Sequence, residues 1–242
     1  MEFHRKLEIK RSFRVESILS DTALPGASAY AGKAEGYFTG ARHDFVARLP
    51  VHCPLGVLEV GCGDGTTGAL ALQSGKCQRY VGIELFPAAA DKARSLISEV
   101  VTGDVENMDL PWERASFDAV ILSEVLEHLV APWTVLAKVA PLLRPGGMVL
   151  ASSPNVSHWR VVRELLAGRF ELSDRGVFDR THMRWFTPHS FRKMFEQAGF
   201  EVVKVAPVTP FAARTRLVSR LTQGCLDHLF MTQISLEGLR TS

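Results

Sequence analysis

The residues best equipped for chemistry fall into two groups. In VLEVGCGDG, residues 57–65, an acid at Glu59 precedes glycines at Gly61, Gly63 and Gly65. Glycines spaced this way after a β-branched run permit a tight turn and let a ligand lie close to the backbone. Glu84 closes the next apolar run, YVGIEL, with Leu85 behind it. A carboxylate at that place accepts from both hydroxyls of a ribose, which selects an adenosyl sugar and disfavours a 2′-phosphate; NAD is not excluded by this feature. The second group is SEVLEHL, with Ser123, Glu124, Glu127 and His128, together with His182 in FDRTHMRWFT. The ordinary pKa of histidine suits removal of a proton at neutral pH.

Three further stretches follow in register: GDVENMDLPW (103–112), FDAVILSEVLEHL (117–129) and LLRPGGMVLASSPN (142–155). With ExGxGxG and the acid ending the next strand, the series resembles that of class I S-adenosylmethionine (SAM) dependent methyltransferases, from about Tyr37 to Val208. The resemblance implies an α/β, Rossmann-like fold: a seven-stranded, mostly parallel sheet with helices on both faces and an antiparallel final strand. It implies SAM as cofactor, with Glu59, Gly61 and Gly63 at the glycine turn and Glu84 and Leu85 at the ribose. Asp104 would accept from the adenine amine, the Val105 N–H would face the ring, and Ser123 would end the fourth strand beside the ligand. YAGKAEGYFTGARHDFVARLP (30–50) is similar to the helix that covers the cofactor in the small-molecule and glycan-cluster branch. That likeness gives Tyr37 closure over the methionine moiety and Arg42 a planar fork for its carboxylate.

A sulfonium methyl needs little activation. What remains is in-line alignment, exclusion of water and, for a hydroxyl acceptor, removal of a proton. His128 and His182 are the candidate bases, with Glu124 beside them. ExxEH with a distant His also resembles the divalent-metal arrangement of small-RNA 3′-terminal 2′-O-methyltransferases and of ubiquinone-pathway O-methyltransferases. There a Mg²⁺ or Zn²⁺ would hold two vicinal oxygens and lower the acceptor pKa. Adjacent Glu127 and His128 on an α-helix, however, point about 100° apart, so the reading without metal ligands is preferred. The expected reaction is methylation of a hydroxyl, or a nitrogen, of a small polar molecule or sugar in natural-product or glycan biosynthesis. The alternatives are an RNA-end 2′-O-methyltransferase with a metal site and a SAM-binding partner protein without catalysis.

The elements that must position these residues alternate. Short apolar runs at 56–60, 80–84, 99–102, 119–122 and 148–153 read as strands buried on both faces, and 66–74, 87–96 and 132–143 read as helices between them. Residues 155–187, rich in His, Arg, Trp and Phe and without a clean period, read as an inserted substrate cap over the carboxyl edge of the sheet. Asn155, His158, Trp159, Arg160, Asp179, Arg180, Arg184 and Trp185 there suit a sugar ring or polar heterocycle. A helix over 188–198, a stop at Gly199 and a strand over 200–208 follow, with a helix or loop over 210–225 and a last strand within 229–239.

Composition bounds the rest. The chain has 242 residues, 46% hydrophobic and 22% charged, the balance of one α/β domain. Residues 1–36 read as a basic arm, since five of the first fourteen residues are Lys or Arg, and 37–242 as the domain. A net charge of +2 supplies no field that favours nucleic acid. Cys53, Cys62, Cys77 and Cys225 form no CxxC pair, which suits reduced thiols in a cytoplasm. No apolar run approaches the roughly 20 residues of a membrane span. The expected partner is a small-molecule or glycan acceptor, with oligomerisation left open.

Overall fold

The computed structural model describes residues 40–241. Tyr37 and the basic arm lie outside the described residues. The elements in chain order are α1 (His43–Arg48), β1 (Val57–Val60), α2 (Thr66–Gln73), β2 (Tyr80–Glu84), α3 (Pro87–Ala93), β3 (Glu99–Thr102) and β4 (Phe117–Ser123). They continue with a 3₁₀ turn (Leu126–His128), α4 (Pro132–Val139), β5 (Leu143–Pro154), α5 (Trp159–Leu166), α6 (Pro188–Gln197), β6 (Phe200–Pro207), α7 (Ala213–Leu221) and β7 (Gln233–Arg240).

The strands form one sheet in the order β3-β2-β1-β4-β5-β7-β6. β1 to β5 are parallel; β7 enters antiparallel between β5 and β6. Every residue of β1 and β2 is buried, as their unbroken apolar runs demand when both faces are covered. Alternation then sorts the side chains. Leu58, Val81, Val120, Leu122 and Val149 pack with Val135, Leu136, Phe191 and Phe195 on one face. Val57, Tyr80, Ala119, Ile121 and Leu150 pack with Phe45, Val46, Ala71 and Ile97 on the other. No helix of the described residues is long and apolar enough to cross a membrane.

Several boundaries differ from the sequence expectation, each for a local reason. β5 starts at Leu143 rather than 148, because RPGG, which reads as a turn, is carried inside the strand with Gly146 at φ +70°. Helix α4 stops at Val139 and hands over to a 3₁₀ turn containing Pro141, where a proline removes the donor an α-helix needs. The cap, which shows no clean period, nevertheless contains α5, started by His158, whose ring accepts from Arg160 N. The segment after β6 holds α7, none of whose residues is buried.

Candidate functional site

Parallel pairing brings the carboxyl ends of the strands into line. Val60 stands beside Ile83 and Leu122, Glu84 beside Thr102, and Ser123 beside Ser152. The loops that leave these ends therefore form one continuous edge, which is where open α/β sheets bind ligands.

The turn after β1 runs through Gly63 at φ +55° and Gly65 at φ +84°, conformations an L side chain resists. A Cβ on Gly65 would also stand 2.9 Å from the Ala93 Cα, so glycine is what lets α2 start against α3. Glu84 ties this turn to β2. Its Oε2 accepts from Gly63 N at 2.8 Å and its Oε1 from Phe86 N at 3.0 Å. Burial pushes the Glu84 carboxyl above the ordinary range, against the opposing pull of hydrogen bonds from the Phe86, Gly63 and Leu85 backbone. Each oxygen keeps a second lone pair, so the arrangement is compatible with the expected ribose contact.

Asp104 follows β3 and organises its own loop: Oδ1 accepts from Glu106 N at 2.9 Å and Oδ2 from Asn107 Nδ2 at 2.6 Å. Val105 is buried behind it. Two residues absent from the sequence reading hold this loop in place. Lys138 on α4 donates to the carbonyls of Val105, Glu106 and Met108 at 3.3, 2.6 and 3.2 Å. Glu106 accepts from Val130 N and Ala131 N, which fastens the loop to the start of α4. The only sequence signal for Lys138 is a lone cation on an otherwise apolar helix.

Arg42, at the start of α1, reaches the ends of β4 and β5. Its Nη1 donates to Ser123 Oγ and to Ser152 Oγ, and its Nε and Nη2 engage Asp44 as a fork at 2.8 and 2.9 Å. The Nε/Nη2 edge of the Arg42 fork is thus engaged by Asp44. Glu59 is 3% exposed and accepts from the Tyr80 hydroxyl at 2.9 Å. Burial pushes its carboxyl up to about 8, only partly offset by Tyr80 and Arg42.

The second group assembles where β4 ends. Glu124 has φ +52°, a left-handed conformation that costs a residue with a side chain about 1–3 kcal/mol and is often found at functional sites. Its Oε2 accepts from Gln233 Nε2 on β7 at 3.0 Å, while the buried Oε1 lacks a hydrogen-bond partner. Glu127 is 1% exposed, neither of its carboxylate oxygens makes a hydrogen bond of ordinary geometry, and the Ser153 hydroxyl and a backbone N–H near it pull its carboxyl down only in part. Burial, reinforced by the neighbouring Glu124 charge, holds the Glu127 carboxyl well above the ordinary range. His128 and His182 stand with ring centroids 4.7 Å apart at 64°. His128 Nδ1 lies 3.1 Å from Thr181 O, and His182 Nδ1 lies 3.1 Å from Val177 O. A carbonyl oxygen only accepts, so Nδ1 donates and Nε2 carries the lone pair of the neutral ring.

Glu127, His128 and His182 each offer a ligand atom within 4.8 Å of the others. Glu127 and His128 sit in a 3₁₀ turn, where adjacent residues leave the axis about 120° apart, and their ligand atoms nevertheless come within reach of His182. The cap supplies His182 through a loop organised by Asp179, whose Oδ1 accepts from Thr181 N and Thr181 Oγ1. The sequence reading could group these residues by resemblance alone, since 54 positions separate the two histidines.

Comparison with known proteins accords with this geometry. Residues 33–205 match the family model described as methyltransferase domain. A probable S-adenosylmethionine-dependent methyltransferase of Mycolicibacterium smegmatis is 29% identical over 190 residues, 75% of this chain and 69% of that protein. A ubiquinone biosynthesis O-methyltransferase of Thiobacillus denitrificans is 29% identical over 163 residues, 63% of this chain and 67% of that one. Among solved structures, a SAM-dependent methyltransferase from Archaeoglobus fulgidus superposes with a TM-score of 0.60 at 19% identity, covering 85% of this chain and 97% of its own.

Proposed function

The chain belongs to the family of SAM-dependent methyltransferases, and on that premise we propose that it methylates a hydroxyl of a small polar molecule or sugar. The observation that carries this reading is the pairing of His128 and His182, both with Nδ1 held by a backbone carbonyl, at the end of β4. An amine presents its own lone pair and needs no such base; a hydroxyl must lose a proton as the methyl arrives. The ubiquinone-biosynthesis O-methyltransferase among the relatives is in keeping with it.

In this reading SAM lies across the carboxyl ends of β1, β2 and β3. Glu84 receives the ribose hydroxyls, Asp104 and the Val105 N–H meet the adenine, and the backbone of Gly61 and Gly63 admits the amino-acid end. The sulfonium then points toward β4, where the acceptor lies between the strand end and the cap. Trp159, exposed, carries the Arg160 and Arg163 guanidinium groups over its ring at 5.5 Å, an aromatic and cationic surface on the cap side. Either histidine accepts the hydroxyl proton at Nε2.

The metal implied by the ExxEH resemblance can be tested against the residues present. A buried carboxylate with no hydrogen-bond partner is costly, and an adjacent cation removes that cost. Imidazoles whose Nδ1 protons are given to carbonyls are oriented as ligating histidines usually are. Glu127, His128 and His182 therefore fit a divalent cation, which when bound would lower the pKa of a hydroxyl beside it.

The test is transfer from labelled SAM to a panel of hydroxylated aromatics, sugars and matched amines. His128→Asn is expected to lower kcat by about 10²–10⁴-fold with S-adenosylhomocysteine affinity unchanged. Methylation confined to the amines, unaffected by this substitution, would replace the hydroxyl reading.

A further inference from the structure

Between Glu201 and Asp227 the chain carries four cations, Lys204, Arg214, Arg216 and Arg220, and no acid. Helix α7 lies in this stretch and buries none of its side chains. A surface helix ordinarily turns its apolar residues inward. In α7 the order is reversed. Thr215, Ser219 and Thr222 are half-buried together with Val218, while Leu217 and Leu221 are 59% and 77% exposed. The two leucines are four residues apart and so stand in line along the outer face, with Arg216 and Arg220 on one flank and Arg214 on the other. None of the three guanidinium groups forms an ion pair with a carboxylate among the described residues. The end of the helix is closed by its own hydrogen bonds, from Gly224 N to Ser219 O at 2.8 Å and from Thr222 Oγ1 to Val218 O at 2.9 Å.

We propose that this face of α7 is a peripheral contact for an anionic lipid surface, with Leu217 and Leu221 entering the boundary between headgroups and acyl chains and Arg214, Arg216 and Arg220 meeting the lipid phosphates. The leucines select this occupant over a nucleic acid, whose phosphate backbone engages the cations and leaves the apolar stripe in water. The size of the face selects it over a protein. Two turns of helix fall short of the roughly 800 Å² per partner that a stable protein interface buries, whereas entry of about 5–10 Å into a bilayer uses only the outer side chains. Arginine stems lie along the apolar boundary while their heads stay with the phosphates. Topology fixes where the contact falls. β5 and β6 both run antiparallel to β7, hence parallel to each other, so α7 leaves the same edge of the sheet as the cap that follows β5. At the start of the cap, Asn155 Nδ2 donates to the carbonyls of His228 and Met231 at 2.7 and 2.8 Å, which fastens the segment after α7 to that edge. Lipid binding at α7 therefore sets the carboxyl edge of the sheet beside the membrane surface.

The experiment mixes the full chain with vesicles of phosphatidylcholine, alone or with phosphatidylglycerol added, and reads the bound fraction by sedimentation at low and high salt. Binding is expected to the anionic vesicles, weakened about tenfold or more at high salt, and not to phosphatidylcholine alone. Two variants separate the parts of the face: Arg214→Gln, Arg216→Gln and Arg220→Gln combined, and Leu217→Ser combined with Leu221→Ser. Each should lower the affinity for anionic vesicles about tenfold or more. All five side chains are exposed, so both variants should fold and bind S-adenosylhomocysteine as the parent does in a calorimetric titration. Loss in the arginine variant with none in the leucine variant would overturn the lipid assignment in favour of an acidic protein or a nucleic acid. Binding retained by both variants would move the contact to other cations, such as the Lys and Arg of the first fourteen residues, and overturn the role of α7. Failure of the parent chain to bind anionic vesicles would overturn the proposal outright.

Discussion

Glu84 Oε2 accepts a hydrogen bond from Gly63 N at 2.8 Å, so the last residue of β2 sets the position of the turn that leaves β1. One carboxylate is thereby asked to shape the turn and, in the proposed complex, to bind the ribose.

Glu84→Ala is expected to remove both functions. Each charge-assisted hydrogen bond is worth about 1.5–3 kcal/mol, so S-adenosylhomocysteine affinity should fall by at least tenfold in a calorimetric titration. Glu84→Gln, which can still accept from Gly63, should retain part of it. An unchanged affinity in the alanine variant would remove Glu84 from the ribose.

The buried Glu59 makes stability depend on pH. Its carboxyl titrates at about 8 in the folded chain and near 4.5 when unfolded. Between those values the folded state holds a proton that the unfolded state releases. Stability from this group is therefore full below about 4.5 and is lost as pH rises through about 8. Glu59→Gln keeps an acceptor for the Tyr80 hydroxyl and cannot ionise. Its thermal midpoint should fall less than the parent's between pH 5 and 9, and parallel curves would contradict the assignment.

Lys138 gives its ammonium to three carbonyls of the 105–108 loop. Lys138→Met preserves the stem and leaves those carbonyls without a cation. A loss of about 1–3 kcal/mol in urea unfolding is expected, together with weaker S-adenosylhomocysteine binding, because the adenine loop is no longer held.

Asp118 provides the opposite control. It is 1% exposed at the amino-terminal end of β4, accepts from Leu55 N and Gly56 N, and pairs with Arg144 Nε at 2.7 Å. Asp118→Ala should cost about 2–5 kcal/mol of stability by orphaning these donors. The site lies at the other edge of the sheet, so ligand affinity at a temperature where the chain is folded should not change.

The legible parts of this molecule are those where one local rule suffices. Val57 to Val60 and Tyr80 to Glu84 are buried on both sides, so their apolar runs are uninterrupted, and the glycines after them have the conformations their spacing implies. The cap was illegible for the converse reason. In α5 only Val161 is buried, and the helical spacing of Arg160, Arg163 and Glu164 against Val161, Val162 and Leu165 covers too few residues to stand out in a reading of 155–187 as one stretch. The meeting of Glu127 and His128 with His182 depends on where the cap returns to the end of β4, and no residue type announces it. Lys138 and Gln233 act on loops far away in sequence, through contacts that exist only once the sheet is assembled.

The insertion of β7 between β5 and β6 divides the chain in time as well as in space. Strands β1 to β4, with Glu84 and Asp104, can pair as they emerge from the ribosome, each finding a neighbour already made. β5 can join β4 in the same way, but β6 must wait for residues 233–240, its link to the sheet, and Glu124 waits for Gln233. A nascent chain therefore completes the edge proposed to hold the nucleoside before it completes the edge that would choose the acceptor.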